Sequence, residues 1–360
     1  VSLGSSRDDG TRQQGFSNPI QGALLEPSRL KSEYAVEVFS GIRPSGNLTV
    51  ANYVGAVSQF INLQERGLHP LVFVADLHLL TDKEPADALK FNREIVLDYL
   101  GCGMDPRKCN IFLQSDLKEE VFSMTALMMR HISIAELLRL PTLKDKMKGV
   151  DEPEQVNALL GVYPVMMAAD ILLQRPRFVP VGEDQLPHIE VTRKIARRFN
   201  AQYGDVLPLP EAQETPPVRI LGLKGTGKMG KSHPEEAIFL SDSADIVAKK
   251  IKGAKTGNTS EMTDALRSNI TLAKGLTRDP EVLSSIDSIV ERHLAGEPAM
   301  GKFKQILTDV AVTFVRTFQE RRAEFASQPE LINEILDRGA NSAKENARET
   351  LRKTYKAMGM

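Results

Sequence analysis

Residues 36–55, VEVFSGIRPSGNLTVANYVG, constrain the fold more than any other stretch of the chain. Val36 to Phe39 is a short β-rich run, and Ser40-Gly41-Ile42-Arg43-Pro44-Ser45-Gly46 is a turn of Gly, Pro and Ser. From Thr49 a helical period takes over: Val50, Tyr53, Val54, Val57, Phe60 and Ile61 share a face, and Gly67 closes it. Strand, glycine-rich turn and helix, in that order, is how an open α/β sheet presents an anion site at a helix N-terminus. An ordinary βα connection has the same spacing, so spacing alone leaves both readings open.

The following residues repeat the rhythm. Pro70 to Asp76, PLVFVAD, is a continuous apolar run, as expected of a central parallel strand. It ends at Asp76-Leu77-His78, on the strand edge where doubly wound folds bind ligands. A helix from Pro85 through Leu89, Ile95, Val96 and Leu100 and a third strand at Asn110 to Gln114 complete β-α-β-α-β. Residues 118–150 read as helical, with Met124, Leu127, Met128 and Met129 as core filler. From about Ser241 the pattern is helical to the end, with Pro329 to Met360 as one or two helices. The expected fold class is therefore α/β: a doubly wound, Rossmann-like parallel sheet followed by an all-helical domain. Residues 1–34 form a loosely ordered extension, 35–235 the sheet domain and 236–360 the helical one. A transit peptide is the other reading of the extension, against which Asp8, Asp9 and Glu26 argue.

A 41% hydrophobic fraction is enough for a core, and a net charge of −1 announces no global affinity for nucleic acid. An RNA partner would need a local basic face. Candidates are Arg193-Lys194 with Arg197-Arg198, the lysines 249, 250, 252 and 255, and Arg316 with Arg321-Arg322; solvated helix surface is the commoner reading of each. Cys102 and Cys109 are expected as reduced, partly buried thiols. No apolar run is long enough to span a bilayer, no secretory signal is visible, and a cytoplasmic location is expected.

Two motifs carry candidate chemistry. Asp170 is an acid among Ala168, Ala169, Ile171 and Leu172. A carboxylate there is costly unless a donor meets it, either a nearby cation or a substrate N–H. Gly225 to Ser232, GTGKMGKS, contains a literal G-x-x-x-x-G-K-S, the pattern of a P-loop. A P-loop leads straight into a helix, whereas His233-Pro234 follows here, and no later apolar strand ends in an Asp for Mg²⁺.

Phe39-Ser40-Gly41-Ile42-x-Pro44-Ser45-Gly46-x-Leu48-Thr49-x-x-Asn52-Tyr53 resembles the first signature of the tryptophanyl-tRNA synthetases, a family of class I aminoacyl-tRNA synthetases. Thr49 to Asn52 sits where that family carries its HIGH-like tetrapeptide, with Ala51 in place of the usual Gly. Lys228-Met229-Gly230-Lys231-Ser232 is similar to the second signature, KMSKS, with Gly230 in place of Ser. Further similarity runs through Thr142 to Lys146, Tyr163 to Leu173 and Val179 to Gln185, so this reading accounts for several separated stretches where a P-loop accounts for one.

The resemblance implies roles. Asp170 would accept from an indole nitrogen; Phe39, Met167, Val179 and Val181 would be apolar pocket walls; His78 and Gln185 would be further tryptophan contacts. Arg43, Pro44, Ser45, Ala51, Asn52, Gly182, Glu183, Asp184, Ile220 and Lys228 to Ser232 (with Met229 and Gly230) would surround ATP. Asn52, Lys144, Lys228, Lys231 and Ser232 would act on the phosphates, with Mg²⁺ held through ATP and no metal held by protein ligands. The implied reaction is tryptophan plus ATP to tryptophanyl-adenylate, then transfer to tRNA(Trp), by a homodimer whose helical domain reads the anticodon. A tyrosine-specific relative and a non-catalytic paralogue that binds RNA or a partner are the alternatives.

Overall fold

The computed structural model describes residues 33–43, 47–81, 84, 91–147, 157–181, 185–214, 218–257 and 260–360. Its centre is a five-stranded sheet of order β3-β2-β1-β4-β5, with β1 Val36–Ile42, β2 Leu71–Val74, β3 Asn110–Leu113, β4 Pro176–Val181 and β5 Glu211–Glu214. All four pairings are parallel. This is the doubly wound architecture expected from the sequence.

Two differences from the sequence expectation have local causes. β1 does not stop at Phe39 but runs through Gly41 to Ile42, pairing Gly41 with Phe73. A Cβ on Gly41 would stand 2.3 Å from the Phe73 ring, so the strand continues only because glycine leaves that space. Phe73 in turn stacks on Phe39 at 4.9 Å, a pair worth about 0.5–1.5 kcal/mol beyond its buried area. β5 carries no apolar alternation to announce it, because it lies at the sheet's edge with β4 as its one strand neighbour.

Helix α1 follows β1 as Val50–Asn52, a π-helical stretch Tyr53–Val57 and then Ser58–Glu65. Thr49 caps it, and Gly67, at φ +77, turns the chain out of it. Helix α2 is Asn92–Gly101; the start expected at Pro85 lies outside the described residues. The run expected to be helical from 118 to 150 is divided into α3 Lys118–Met128, α4 Ile134–Leu137 and α5 Pro141–Lys146, and its last three residues, 148–150, lie outside the described residues. Ser133 and Glu136 make a capping box that starts α4, and Pro141, with no N–H to donate, starts α5. Helices α6 Ala158–Gln174 and α7 Leu186–Tyr203 flank β4.

Among the described residues five helices complete the chain: α8 Ala244–Lys252, α9 Asp264–Gly275, α10 Pro280–Leu294, α11 Met300–Ala326 and α12 Pro329–Met358. The apolar core of α8–α11 is continuous with that of α1 and α2, through Val54, Val57, Leu272, Phe303 and Phe318. Tyr53 of α1 packs against Phe314 of α11 at 4.3 Å between ring centres. Helix α12 divides between two cores: Ile332 and Ile335 join the one just described, while Ala340, Ala343, Ala347 and Leu351 join the opposite one, with α3, α6 and α7. It lies directly on β3, where a Cβ on Gly339 would fall 2.0 Å from the Ile111 carbonyl oxygen. Thr350 Oγ1 donates to the Leu173 carbonyl at 2.8 Å and Gln174 Nε2 to that of Ala343 at 3.0 Å, which pins the C-terminal end of α6.

Both cysteines are free and buried, and burial pushes the Cys109 thiol up to about 12. Among the described residues no helix is long and apolar enough to cross a membrane.

Candidate active site

The sheet opens at its switch point. β1 pairs with β4 only through Val36 and Val38; from Phe39 onward its partner is β2, while β4 from Phe178 onward pairs with β5. The C-terminal ends of β1 and β4 therefore part, and side chains of both strands face the gap. A cavity of ≈ 650 Å³ occupies it. Crevices of this kind, at the carboxyl ends of parallel strands, are where doubly wound sheets bind ligands.

The cavity collects six of the seven side chains that the resemblance assigns to tryptophan: Phe39, His78, Met167, Val179, Val181 and Gln185. β1 supplies Phe39, the 3₁₀ turn Leu77–Thr81 after β2 supplies His78, and α6 supplies Met167. The seventh, Asp170, lies one turn beyond Met167 and is not on the cavity wall. Its side chain is 3% exposed. His78 Nε2 meets its Oδ2 at 3.0 Å, and Gln114 Nε2 donates to Oδ1 at 2.9 Å and to Oδ2 at 2.8 Å. Burial raises the Asp170 pKa, against the lowering effect of these His78 and Gln114 bonds. An ionised carboxylate has about four acceptor positions. Three contacts fill three of them, two on Oδ2 and one on Oδ1, which leaves room for one more donor on Oδ1.

Gln114 is not singled out by the sequence, although it ends the third apolar run, where a strand delivers its last side chain to the ligand edge. Tyr163 and His188 also line the cavity and are likewise absent from the sequence assignment. Tyr163 stands edge-on to His78 at 6.4 Å, and its hydroxyl lies 3.3 Å from His188 Nε2. Their sequence signal is only their place in the apolar helices beside Asp170 and Gln185.

On the phosphate side the candidates divide. Arg43 lines the cavity. Lys144 does not; Lys146, two residues on, does, with its Nζ 4.2 Å from the centre of the Tyr163 ring. Helical spacing sets residues two apart on opposite faces, about 200° around the axis, so only one of these lysines turns to the site. Pro44, Ser45, Gly182, Glu183 and Asp184 lie outside the described residues.

The start of α1 is not an open row of amide donors. The Val50 amide donates to the Ile238 carbonyl at 3.0 Å and the Asn52 amide to that of Thr49 at 3.0 Å. Asn52 Oδ1 accepts from the Thr49 amide and hydroxyl, each at 2.9 Å. What exposed Asn52 can offer an anion is its side-chain NH₂. Ala51 is 8% exposed and belongs to the core, so its methyl is housed by protein packing.

The two signature stretches are joined. Leu240 N donates to Leu48 O at 2.9 Å, so the chain that leaves the lysine loop pairs antiparallel with the start of α1. The loop folds back on itself, Leu221 bridging Lys228, with Met229 N donating to Ile220 O at 2.9 Å. Ile220 and Met229 are buried and anchor it, while Lys228, Lys231 and Ser232 are exposed. After Ser232 comes a three-residue 3₁₀ turn, Pro234–Glu236, and the next helix starts only at Ala244. That is not the strand-loop-helix of a P-loop. At Gly230 an added Cβ meets nothing nearer than 4.0 Å, so the Gly is not sterically required there.

The basic run on α7 is largely engaged. Lys194 and Arg198 both reach Glu136, at 3.2 and 2.8 Å, and Arg193 Nη1 donates to Pro210 O at 2.7 Å. Arg322 is paired with Asp98 and Glu94 between α11 and α2.

A doubly wound sheet with its cavity at the switch point and lysines on a neighbouring loop defines the Rossmann-type nucleotide-binding class. Within that class the chain matches the family described as tRNA synthetases class I (W and Y) over residues 31–353, and it belongs to that family. It is 39% identical over 341 residues to a tryptophan–tRNA ligase of Halalkalibacterium halodurans, covering 90% of this chain and 97% of that protein. The tryptophanyl-tRNA synthetase of Mycoplasma pneumoniae superimposes with a TM-score of 0.79 at 32% identity, over 91% of this chain and 98% of that one. The Campylobacter jejuni tryptophanyl-tRNA synthetase solved with ADP and tryptophan superimposes with a TM-score of 0.74 at 30% identity, over 90% of this chain and all of that one.

Proposed function

We propose that the protein activates L-tryptophan with ATP, giving tryptophanyl-adenylate and pyrophosphate, and transfers the tryptophanyl group to tRNA(Trp). The observation that carries the choice of amino acid is Asp170: a buried carboxylate beside an apolar and aromatic cavity, with one acceptor position left. An indole offers one N–H donor on an otherwise apolar body, which matches that site.

The tryptophan carboxylate attacks the α-phosphate, so no protein nucleophile is needed and catalysis rests on positioning and charge. Phe39, Met167, Val179 and Val181 enclose the indole, with His78 and Gln185 at its polar margin. Arg43, the Asn52 side-chain amide, Lys146, Lys228 and Lys231 meet phosphate oxygens, and Ser232 supports the loop. Mg²⁺ would be held through ATP and would offset phosphate charge there.

Helices α8–α11 bind the anticodon arm, a role supported by the exposed Lys249, Lys252, Lys255 and Arg316. The protein works as a homodimer. Support comes from Phe122, Met129, Ile134 and Leu138, which are 42–76% exposed within one 17-residue stretch. A cytoplasmic location is part of the same proposal.

The test is ATP–pyrophosphate exchange with each aromatic amino acid. Tryptophan should drive exchange about 10⁴-fold better than tyrosine, because a site built to pair a buried donor rejects ligands that misplace it. Equal rates with the two would overturn the reading.

A further inference from the structure

We propose that Asp76 is a positioning residue for amino-acid selection, holding His78 and Gln114 on the Asp170 carboxylate without touching the substrate. The proposal rests on Asp170 as the reader of the indole N–H. Asp76 is 2% exposed and is not among the residues lining the cavity. Its four bonds span three elements. Oδ1 accepts from the Leu77 amide at 3.0 Å and the Ser115 amide at 2.9 Å. Oδ2 accepts from the Ser115 hydroxyl and from Asn92 Nδ2, each at 2.6 Å.

The targets of these bonds explain their effect. Ser115 is the residue after Gln114, at the point where β3 ends. Leu77 is the residue before His78, and the Asp76 carbonyl accepts from Leu79 N at 3.0 Å, closing the turn that carries His78. One carboxylate therefore fixes the backbone beside both groups that hold Asp170. Asn92, the first residue of α2, fixes the other side of that carboxylate. Gln114 Oε1 has no partner among the described residues, so this side chain is held by its bonds to Asp170 and by its backbone alone. If the β3 end moves, nothing else restores Gln114.

A purely architectural role, tying two strand ends together, would give the same bonds. The two roles differ in the consequence of losing those bonds. Asp76→Asn keeps the shape and the two backbone acceptor contacts but removes the charge: Asn92 has to turn its otherwise unpartnered Oδ1 to the new NH₂, and the Ser115 hydroxyl has to accept where it donated. The expected result in exchange kinetics is a tryptophan KM raised about tenfold or more, a factor typical of one lost charged contact, with the ATP KM unchanged. The swap Asp76→Asn with Asn92→Asp returns the charge to the same contact and should restore the tryptophan KM. Ser115→Ala, which keeps the charge and the fold, should raise it about two- to tenfold.

Thermal unfolding of each variant is measured alongside. If both KM values move together with the melting temperature and the swap rescues neither, Asp76 is only structural and the proposal fails. If Asp76→Asn and Ser115→Ala leave the tryptophan KM unchanged, it fails as well. Asp170→Asn separates the two layers. If that variant loses tryptophan affinity while Asp76→Asn does not, the positioning role alone is wrong; if Asp170→Asn itself binds tryptophan normally, the reading of Asp170 is wrong and takes the proposal with it.

Discussion

Asp170 makes the amino-acid step sensitive to pH. Burial raises its pKa, so its proton persists to a higher pH than on an exposed aspartate. The indole N–H needs the ionised acceptor, so kcat/KM for tryptophan should fall as pH drops through that raised pKa. This acid limb should lie at a higher pH than the titration of an exposed aspartate and disappear in Asp170→Asn, while the ATP KM shows no matching limb. A pH series of exchange rates with each substrate varied in turn checks it. The lysines of α5 give a second prediction at this scale. Lys146 lines the cavity and Lys144 does not, so Lys146→Ala should lower adenylate formation about 10²-fold and Lys144→Ala little. Equal losses in the two variants, measured by single-turnover kinetics, would show that the segment carrying them rearranges on binding ATP.

Among the elements, α12 has the tightest constraint. It crosses β3 so closely that Gly339 has no room for a Cβ, and backbone atoms of Ile111 stand in the way. Backbone yields less readily than a side-chain tip, so Gly339→Ala should destabilise the protein by about 1–3 kcal/mol, as overpacking does, despite the better helix propensity of alanine. Urea unfolding of the purified variant measures it. The same helix holds the end of α6 through Thr350 and Gln174. Loosening α12 should therefore also soften the helix that carries Met167 and Asp170. Helix α1 shows a different device. Its π-helical stretch, Tyr53–Val57, sits where Gly55 and Ala56 face the cavity, and π stretches occur mostly as short insertions at functional sites.

At the scale of the whole molecule, the two sequence halves share a core. Val54 of α1 sits within 2.6 Å of where a Cβ on Gly275 of α9 would be, and Tyr53 meets Phe314 of α11. The helix that begins with the first signature thus also forms the seam to α8–α11. The exposed apolar stretch from Phe122 to Leu138 gives the prediction for the assembly. Ile134→Glu with Leu138→Glu, one helical turn apart at the start and the C-cap of α4, should turn a dimer into a monomer in sedimentation experiments while leaving the melting transition cooperative. If the variant still sediments as a dimer, the interface lies elsewhere.

By itself the sequence determined the parallel arrangement of β1, β2 and β3 and pointed to their C-terminal edge as the ligand side. Apolar runs such as Leu71–Val74 are long enough to specify buried strands, and the helical period from Thr49 specifies α1. Asp170 was legible because an acid in an apolar helix demands a partner. Tertiary structure alone decided who that partner is: His78 and Gln114 come from 92 and 56 residues away, and no local pattern encodes such a distance. It also decided that Lys146 and not Lys144 turns to the cavity, that Ile238 takes the Val50 amide, and that Glu136 engages the basic run of α7. The polar strand β5 was invisible for a related reason. A strand is announced by the face it buries, and an edge strand needs only backbone bonds to one neighbour, which any sequence but proline supplies.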